Sequence, residues 1–244
     1  MNIYVLTSDK SMHIVEALQY TFNTYWTDKH QKVCILGYSE PAFELQDNFE
    51  FISLGEDNGP RVGKDLIDFF NSIDDKHFIF CVDDFPLISN IDDEMLEYAK
   101  TVMKDNSNIG RFGLTGDNKN RQHTVVDKTD NHEVIMNTQT ADYKLSAVWS
   151  IWNKEYFLKY LTPSMNLWEW EIDGSSLSKY DEYEIMGTNH KYTINTCHIY
   201  KQGKIKPDWY ESVWDKDIKI EEGIKRYIIR ILNKFHPHLV GENI

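Results

Sequence analysis

Along the first half of the chain, short apolar runs alternate with helical stripes. Ile3 to Thr7 is an apolar run of strand length, and Met12 to Trp26 sets Ile14, Val15, Leu18, Phe22 and Tyr25 at helical spacing, so the opening predicts β then α. Lys32 to Gly37 and Phe49 to Leu54 predict two further strands, with the turn-rich Ser39-Glu40-Pro41 between them. Val62 to Ile73 gathers Leu66, Ile67, Phe69 and Phe70 on one side of a helix, and His77 to Val82 is the next strand. A helix from Ile91 to Met103 follows, with Asp92, Asp93 and Glu94 in its first turn, where the helix dipole favours acids.

The second half is less regular. Gly116 to Gln139 is polar and aperiodic, and predicts a long loop or a weak hairpin. Tyr143 to Trp149 reads as a strand and Asn153 to Leu161 as a helix stopped by Thr162-Pro163. Asn166 to Tyr183 reads as a loop, Tyr192 to Tyr200 as a strand and Glu221 to Phe235 as the last helix. Strands alternating with helices imply an α/β class with a mostly parallel central sheet flanked by helices. In such sheets ligands bind beyond the carboxyl ends of the strands, which puts Thr7, Ser8 and Asp9 on the same rim as Asp83 and Asp84.

At 244 residues the chain is expected to form one domain. Its organisation reads as a first half over 1–115, a less regular stretch over 116–205 and a helical C-terminal segment over 206–244. With 39 acidic against 26 basic side chains and no basic run, it lacks the field that a nucleic-acid backbone requires. Three cysteines, Cys34, Cys81 and Cys197, have neither zinc-site nor disulfide-framework spacing, and suit a reducing compartment. No signal-peptide pattern opens the sequence and no apolar stretch is long enough to span a membrane, so a soluble, cytoplasmic protein is expected.

Against this background Asp83-Asp84 stands out: two adjacent carboxylates end an apolar strand, where ionised groups need a cation, a donor or a catalytic task. Such a pair suits a hard divalent ion, Mg²⁺ or Mn²⁺, that bridges to substrate phosphates; capping or pairing with a basic side chain would also explain it. The segment Asn166 to Glu171 interleaves Trp168 and Trp170 with Glu169 and Glu171. An acid between indole rings is partly desolvated and suits a general base, while the rings offer faces to a sugar; an ordinary amphipathic strand has the same alternation. A third cluster, His198 with Lys201, Lys204 and Lys206 around Gly203, could neutralise a diphosphate and supply a third metal ligand, or be solvated charge at a hairpin. His123, His132 and His190 read as surface histidines.

In combination these features resemble the nucleotide-sugar-dependent glycosyltransferases of GT-A fold, and more narrowly a group of small bacterial and viral members. The resemblance rests on Leu54-Gly55-Glu56-Asp57-Asn58-Gly59, the helix to Ile73, Phe78 to Leu87 with Asp83-Asp84-Phe85, then Tyr143-Lys144-Leu145-Ser146, Ile151-Trp152, Pro163 and Trp168-Glu169-Trp170-Glu171. It covers most of 50–210 in the expected order; the departure is Asp-Asp-Phe in place of Asp-x-Asp. It implies a nucleotide-sugar-binding half, 1–115, and an acceptor half, 116–205. Transfer from a UDP- or GDP-sugar to a glycan or other hydroxyl acceptor would be metal-assisted and inverting, in carbohydrate biosynthesis. Thr7, Ser8, Asp57, Arg61, Lys64, Asp83 and Lys204 would meet the donor. Asp84, with Asp83 and His198, would hold the metal, Trp168 and Trp170 would stack on sugar, and Glu171, with Glu169 in reserve, would be the base. A sugar nucleotidyltransferase would need a Gly-rich basic loop where Thr7 to Ser11 has no glycine. A non-catalytic carbohydrate-binding protein would explain the tryptophans and leave the acidic pair without a task.

Overall fold

The computed structural model describes residues 1–57, 59–201, 204–206 and 208–235, with the backbone alone at 201 and 204. Its elements in chain order are β1 (Ile3–Leu6), α1 (Met12–Tyr25), β2 (Val33–Gly37), β3 (Phe49–Ser53), α2 (Gly63–Ser72), β4 (His77–Val82), α3 (Asp93–Asp105), β5 (Ile109–Gly113), β6 (His123–Lys128) and β7 (Glu133–Asn137). There follow β8 (Ser150–Asn153), α4 (Lys154–Lys159), α5 (Leu167–Glu169), a π-helical turn (Trp170–Gly174), α6 (Ser175–Leu177), β9 (Glu184–Thr188), β10 (Tyr200–Lys201), β11 (Lys204–Ile205) and α7 (Glu222–Phe235).

Among the described residues nine strands form one sheet in the order β3-β2-β1-β4-β8-β5-β9-β7-β6. The first four pair in parallel, as the sequence predicts. From β8 onward the sheet is mixed: β8 runs antiparallel between β4 and β5, β5 and β9 are parallel, and β6–β7 is an antiparallel hairpin on the far edge. The polar stretch 116–139 thus holds a true hairpin, whose strand β6 is an edge strand with exposed side chains.

Strand periodicity divides the core. Ile3 and Val5 on β1, with Ile79 and Cys81 on β4, face the cluster that includes the apolar faces of α1, α3 and α7. Tyr4, Leu6, Phe78 and Phe80 face the other way, toward Leu66 and Phe70 of α2 and Phe157 of α4. Because both faces are covered, β1, β2 and β4 read as continuous apolar runs. Helix α3 starts two residues later than expected, at Asp93, because Asp92 is its N-cap, the carboxylate accepting the Met95 amide at 3.0 Å.

Two predicted strands change character. Tyr143 to Trp149 is irregular, and strand pairing begins at Ser150. Two of its amides go to side chains: Leu145 donates to Ser175 Oγ at 3.0 Å and Ala147 to Glu171 Oε1 at 2.5 Å. Tyr192 to Tyr200 runs beside residues 84–88, with the single bridge Leu87–Thr196 and the Ile199 amide on the Asp84 carbonyl at 3.2 Å. Pro86 accepts the Cys197 amide at 3.2 Å but has no amide hydrogen to return the bond, so the pairing stays incomplete. His132 is buried at 6% exposure beside Asp92, so it is not the surface histidine its loop context predicts.

Candidate active site

Parallel strands β1 to β4 release the chain at one rim, and two adjoining cavities open there. The smaller, about 430 Å³, is lined by Thr7 to Ser11 after β1, Tyr38 after β2, Asp57, Gly59 and Pro60 before α2, and Asp83 after β4. The larger, about 1090 Å³, is lined by Asp84, Phe85, Arg121, the stretch from Thr140 to Tyr143, Trp168, Glu171 and His198, among others. Val82 and Leu167 line both. The acidic pair therefore straddles the junction, Asp83 facing one chamber and Asp84 the other.

Asp83 is 5% exposed; its amide donates to the Leu6 carbonyl and its Oδ2 accepts from Thr7 Oγ1 at 2.5 Å. Burial, and then the charge of Asp84, push its carboxyl up to about 7. Asp84 Oδ2 lies 3.0 Å from His198 Nε2, and the His198 ring stacks on Phe85 with centroids 4.5 Å apart. Asp84 Oδ1 is buried and makes no hydrogen bond among the described residues, an arrangement that leaves a charged oxygen short of a partner. A carboxylate beside an imidazole suits Mn²⁺ better than Mg²⁺, which takes oxygen ligands. Among the described residues no group of three His, Cys, Asp or Glu is gathered as a metal site, so the remaining positions would fall to phosphate oxygens and water.

Glu171 sits on the π-helical turn, whose extra residue per turn shifts the side chains that follow; such turns are frequent at functional sites. Burial raises its carboxyl above the ordinary range, although the Ala147 amide and the Arg111 and Arg121 guanidiniums partly offset this. Behind it, Arg111 is fully buried and donates to Asp117 Oδ2 at 2.5 Å and Ser150 Oγ at 2.9 Å. Arg121 donates to the same Asp117 oxygen at 3.1 Å and to Asn118 Oδ1 at 2.9 Å. Burial opposes the charge on Asp117, but Arg111 and Arg121 outweigh it and hold the carboxyl below its usual range.

Thr7, Ser8, Asp57 and Asp83 come together in the smaller chamber, and Asp84, His198, Trp168 and Glu171 in the larger. Other expected site residues stand elsewhere. Trp170 is fully buried against Trp152 and Phe157, so it is core and has no face to offer a sugar. Glu169 closes a capping box with Asn166, its carboxylate accepting the Asn166 amide at 2.8 Å, and lines neither chamber. The segment, expected as a loop with an amphipathic strand as the alternative for its alternation, is a helical turn, which sends Trp168 outward and Trp170 inward. Arg61 and Lys64 are exposed and outside both chambers, with Lys64 paired to Asp68 one helical turn on. The Lys204 side chain lies outside the described residues. Arg111, Asp117 and Arg121 escape the sequence reading. An arginine in the apolar strand Ile109 to Gly113, just before Gly116-Asp117-Asn118, is the signal that would have found them.

No protein-family model and no curated protein matches the chain. Solved structures do. The first 349 residues of Staphylococcus aureus TarS, in complex with UDP-GlcNAc, align over 97% of this chain and 72% of that one, at 14% identity and a TM-score of 0.50. A second TarS 1-349 structure aligns over 79% of this chain at 15% identity and a TM-score of 0.47, and there the chain spans 59% of the TarS chain. The galactosyltransferase LgtC, with donor and acceptor sugar analogues, aligns over 75% of this chain and 67% of its own at 12% identity and a TM-score of 0.40. At these identities the likeness is one of architecture alone, carried by the TarS structure at a TM-score of 0.50. The chain has the GT-A-like α/β fold of glycosyltransferases.

Proposed function

We propose that the protein is a glycosyltransferase that moves a sugar from a nucleoside diphosphate sugar to a hydroxyl acceptor. The observation that carries this reading is the pair of joined chambers divided by Asp83-Asp84, with a desolvated carboxylate, Glu171, in the larger one. The nucleoside would occupy the smaller chamber, where Asp57 and Asp83 offer acceptors to ribose hydroxyls. The diphosphate would cross the junction at Val82, and the sugar would enter the larger chamber. A UDP-sugar is the leading donor by analogy with the bound ligand of TarS, and a GDP-sugar is the alternative.

In the transfer step Glu171 takes the proton of the acceptor hydroxyl while its oxygen bonds to the anomeric carbon. The bond from that carbon to the phosphate oxygen breaks, and its electron pair leaves with the nucleoside diphosphate. Attack from the face opposite the leaving group inverts the configuration. Asp84 and His198 would hold a divalent ion, Mn²⁺ or Mg²⁺, and Asp83 would assist from the donor side. When bound, such an ion supplies positive charge against the departing diphosphate. The buried, unpartnered Asp84 Oδ1 supports that role.

The test is a thermal-shift and product-release series with UDP- and GDP-sugars and Mn²⁺. One nucleotide sugar is expected to raise Tm and to release its nucleoside diphosphate slowly without acceptor. Asp84→Asn should lose the Mn²⁺-dependent part of the shift. A flat response to every nucleotide sugar would remove the transferase reading; an unaltered Mn²⁺ response in Asp84→Asn would remove the metal assignment alone.

A further inference from the structure

The acidic pair and Glu171 come from distant stretches of the chain, the end of β4 and the π-helical turn, and one short irregular piece bonds to both neighbourhoods. That piece is Ala147-Val148-Trp149. The Ala147 amide donates to Glu171 Oε1 at 2.5 Å, and the Ala147 carbonyl accepts the Val82 amide at 3.1 Å, immediately before the acidic pair. Trp149 Nε1 donates to the Phe85 carbonyl at 2.8 Å, immediately after the pair. Asp83-Asp84 is thus bracketed by two hydrogen bonds to the same piece that holds the candidate base.

Trp149 is clamped at both of its ends. Its side chain is fully buried, with its ring 6.4 Å from that of Phe22 on α1 and 6.2 Å from that of Trp26, and its carbonyl accepts the Leu114 amide at 3.0 Å. Packing alone does not call for the bond to Phe85. Trp152 and Trp170 are buried as completely, and their Nε1 atoms make no hydrogen bond among the described residues. The carbonyls on either side of Phe85 are held by another segment: Asp84 accepts the Ile199 amide and Pro86 the Cys197 amide, each at 3.2 Å. Those two donors flank His198. Phe85 is therefore fixed between the His198 segment and Trp149, with its ring stacked on the imidazole at 4.5 Å, and His198 Nε2 lies 3.0 Å from Asp84 Oδ2. Orientation passes from Trp149 to the Phe85 backbone, from the Phe85 ring to His198, and from His198 to Asp84.

We infer that Trp149 is a positioning residue of the transfer site, acting through the Phe85 carbonyl to keep Phe85, His198 and Asp84 in register with Glu171. This rests on the glycosyl-transfer reading and on the metal role given there to Asp84 and His198.

The experiment compares Trp149→Phe, which keeps an aromatic ring in the stack and removes the N–H, with Trp26→Phe, which thins the same stack and leaves the bond to Phe85 in place. Both are expected to lower Tm; the site should respond to the first alone. In metal-free protein the His198 ring protons, assigned by NMR through His198→Asn, carry the ring-current shift of the stacked Phe85. Trp149→Phe should move them toward the values of a free histidine. With UDP present, the Mn²⁺ dissociation constant, read from the EPR signal of free Mn²⁺, should rise roughly 10- to 100-fold in Trp149→Phe and stay native in Trp26→Phe. Phe85→Leu, which keeps the carbonyl and removes the ring, should weaken Mn²⁺ as Trp149→Phe does, and it carries the test if Trp149→Phe does not fold. Native His198 signals and Mn²⁺ binding in Trp149→Phe, equal effects of the two tryptophan variants, or native Mn²⁺ binding in Phe85→Leu would each overturn the inference. Native protein that binds UDP and takes up no Mn²⁺ would overturn it together with the metal assignment, and failure of every nucleotide to bind would strike the glycosyl-transfer reading as well.

Discussion

At the scale of single residues Glu171 is the proposed base, and its environment fixes a sign. A carboxyl raised by burial holds its proton more tightly in the folded than in the unfolded chain. Its contribution to stability is thus present below the unfolded value and is lost as pH rises through the folded one. Glu171→Gln should keep the hydrogen bond from Ala147 and remove the buried charge. We expect this variant to have a higher Tm than native protein at pH 7, a difference that vanishes near pH 4 (about the carboxyl's ordinary value). Melting curves across that range check it; equal Tm values at both pH values would contradict it. Transfer should fall by roughly 10² to 10⁴ while nucleotide binding persists. In the native enzyme the acid limb of kcat/KM should lie above the usual carboxylate range, as a pH-rate profile would read. Asp117 gives the opposite prediction: Asp117→Ala leaves Arg111 buried without its counter-charge and should cost about 3 to 5 kcal/mol in chemical denaturation.

Among elements, the seam of β5, β9 and the turn at Gly116 to Asn118 decides whether the larger chamber keeps its floor. A Cβ on Gly187 would come 2.5 Å from Asn118 Nδ2, and one on Gly113 would come 2.8 Å from it. Asn118 in turn holds Arg121 through its Oδ1 and the Met186 carbonyl through its Nδ2. Gly187→Ala should therefore destabilise by about 1 to 3 kcal/mol and lower transfer through a displaced Arg121. Denaturation and kinetics on the same variant would show both losses; an unchanged denaturation midpoint would mean that the seam yields at no cost. These same elements were the hard ones to read in the sequence. Strands β1, β2 and β4 are buried on both faces and announce themselves as apolar runs, whereas β6 is exposed and polar, and β9 has Gly187 inside it. Tyr143 to Trp149 has strand composition, yet two of its amides go to Ser175 and Glu171 across the chain, which local pattern does not reveal. Trp168 and Glu171 are legible as chemistry in the sequence, but a loop reading, or the amphipathic strand their alternation also allows, does not reveal a helical turn. The helical turn reverses the fate of Trp170 and hands Glu169 to a cap.

On the scale of the whole molecule, a parallel half that presents Thr7, Asp57 and Asp83 is joined by β8 to a mixed half that presents Glu171, and Asp83-Asp84 lies between their two cavities. The rim rule brings Thr7 and Asp83 to one edge from the sequence, because strand ends in a parallel sheet share that edge, whereas Asp57 enters only through the resemblance. It could not place Arg121 or Tyr143, which reach the site from loops of the antiparallel half. Among the described residues no helix is long and apolar enough to cross a membrane. The measurement that tests the account most directly is a crystal structure with the nucleotide sugar that raises Tm. The nucleoside is predicted in the smaller chamber against Thr7, Asp57 and Asp83, with the diphosphate at Asp84 and the sugar in the larger chamber facing Glu171. A nucleotide bound elsewhere, or a sugar turned away from Glu171, would contradict the two-chamber site.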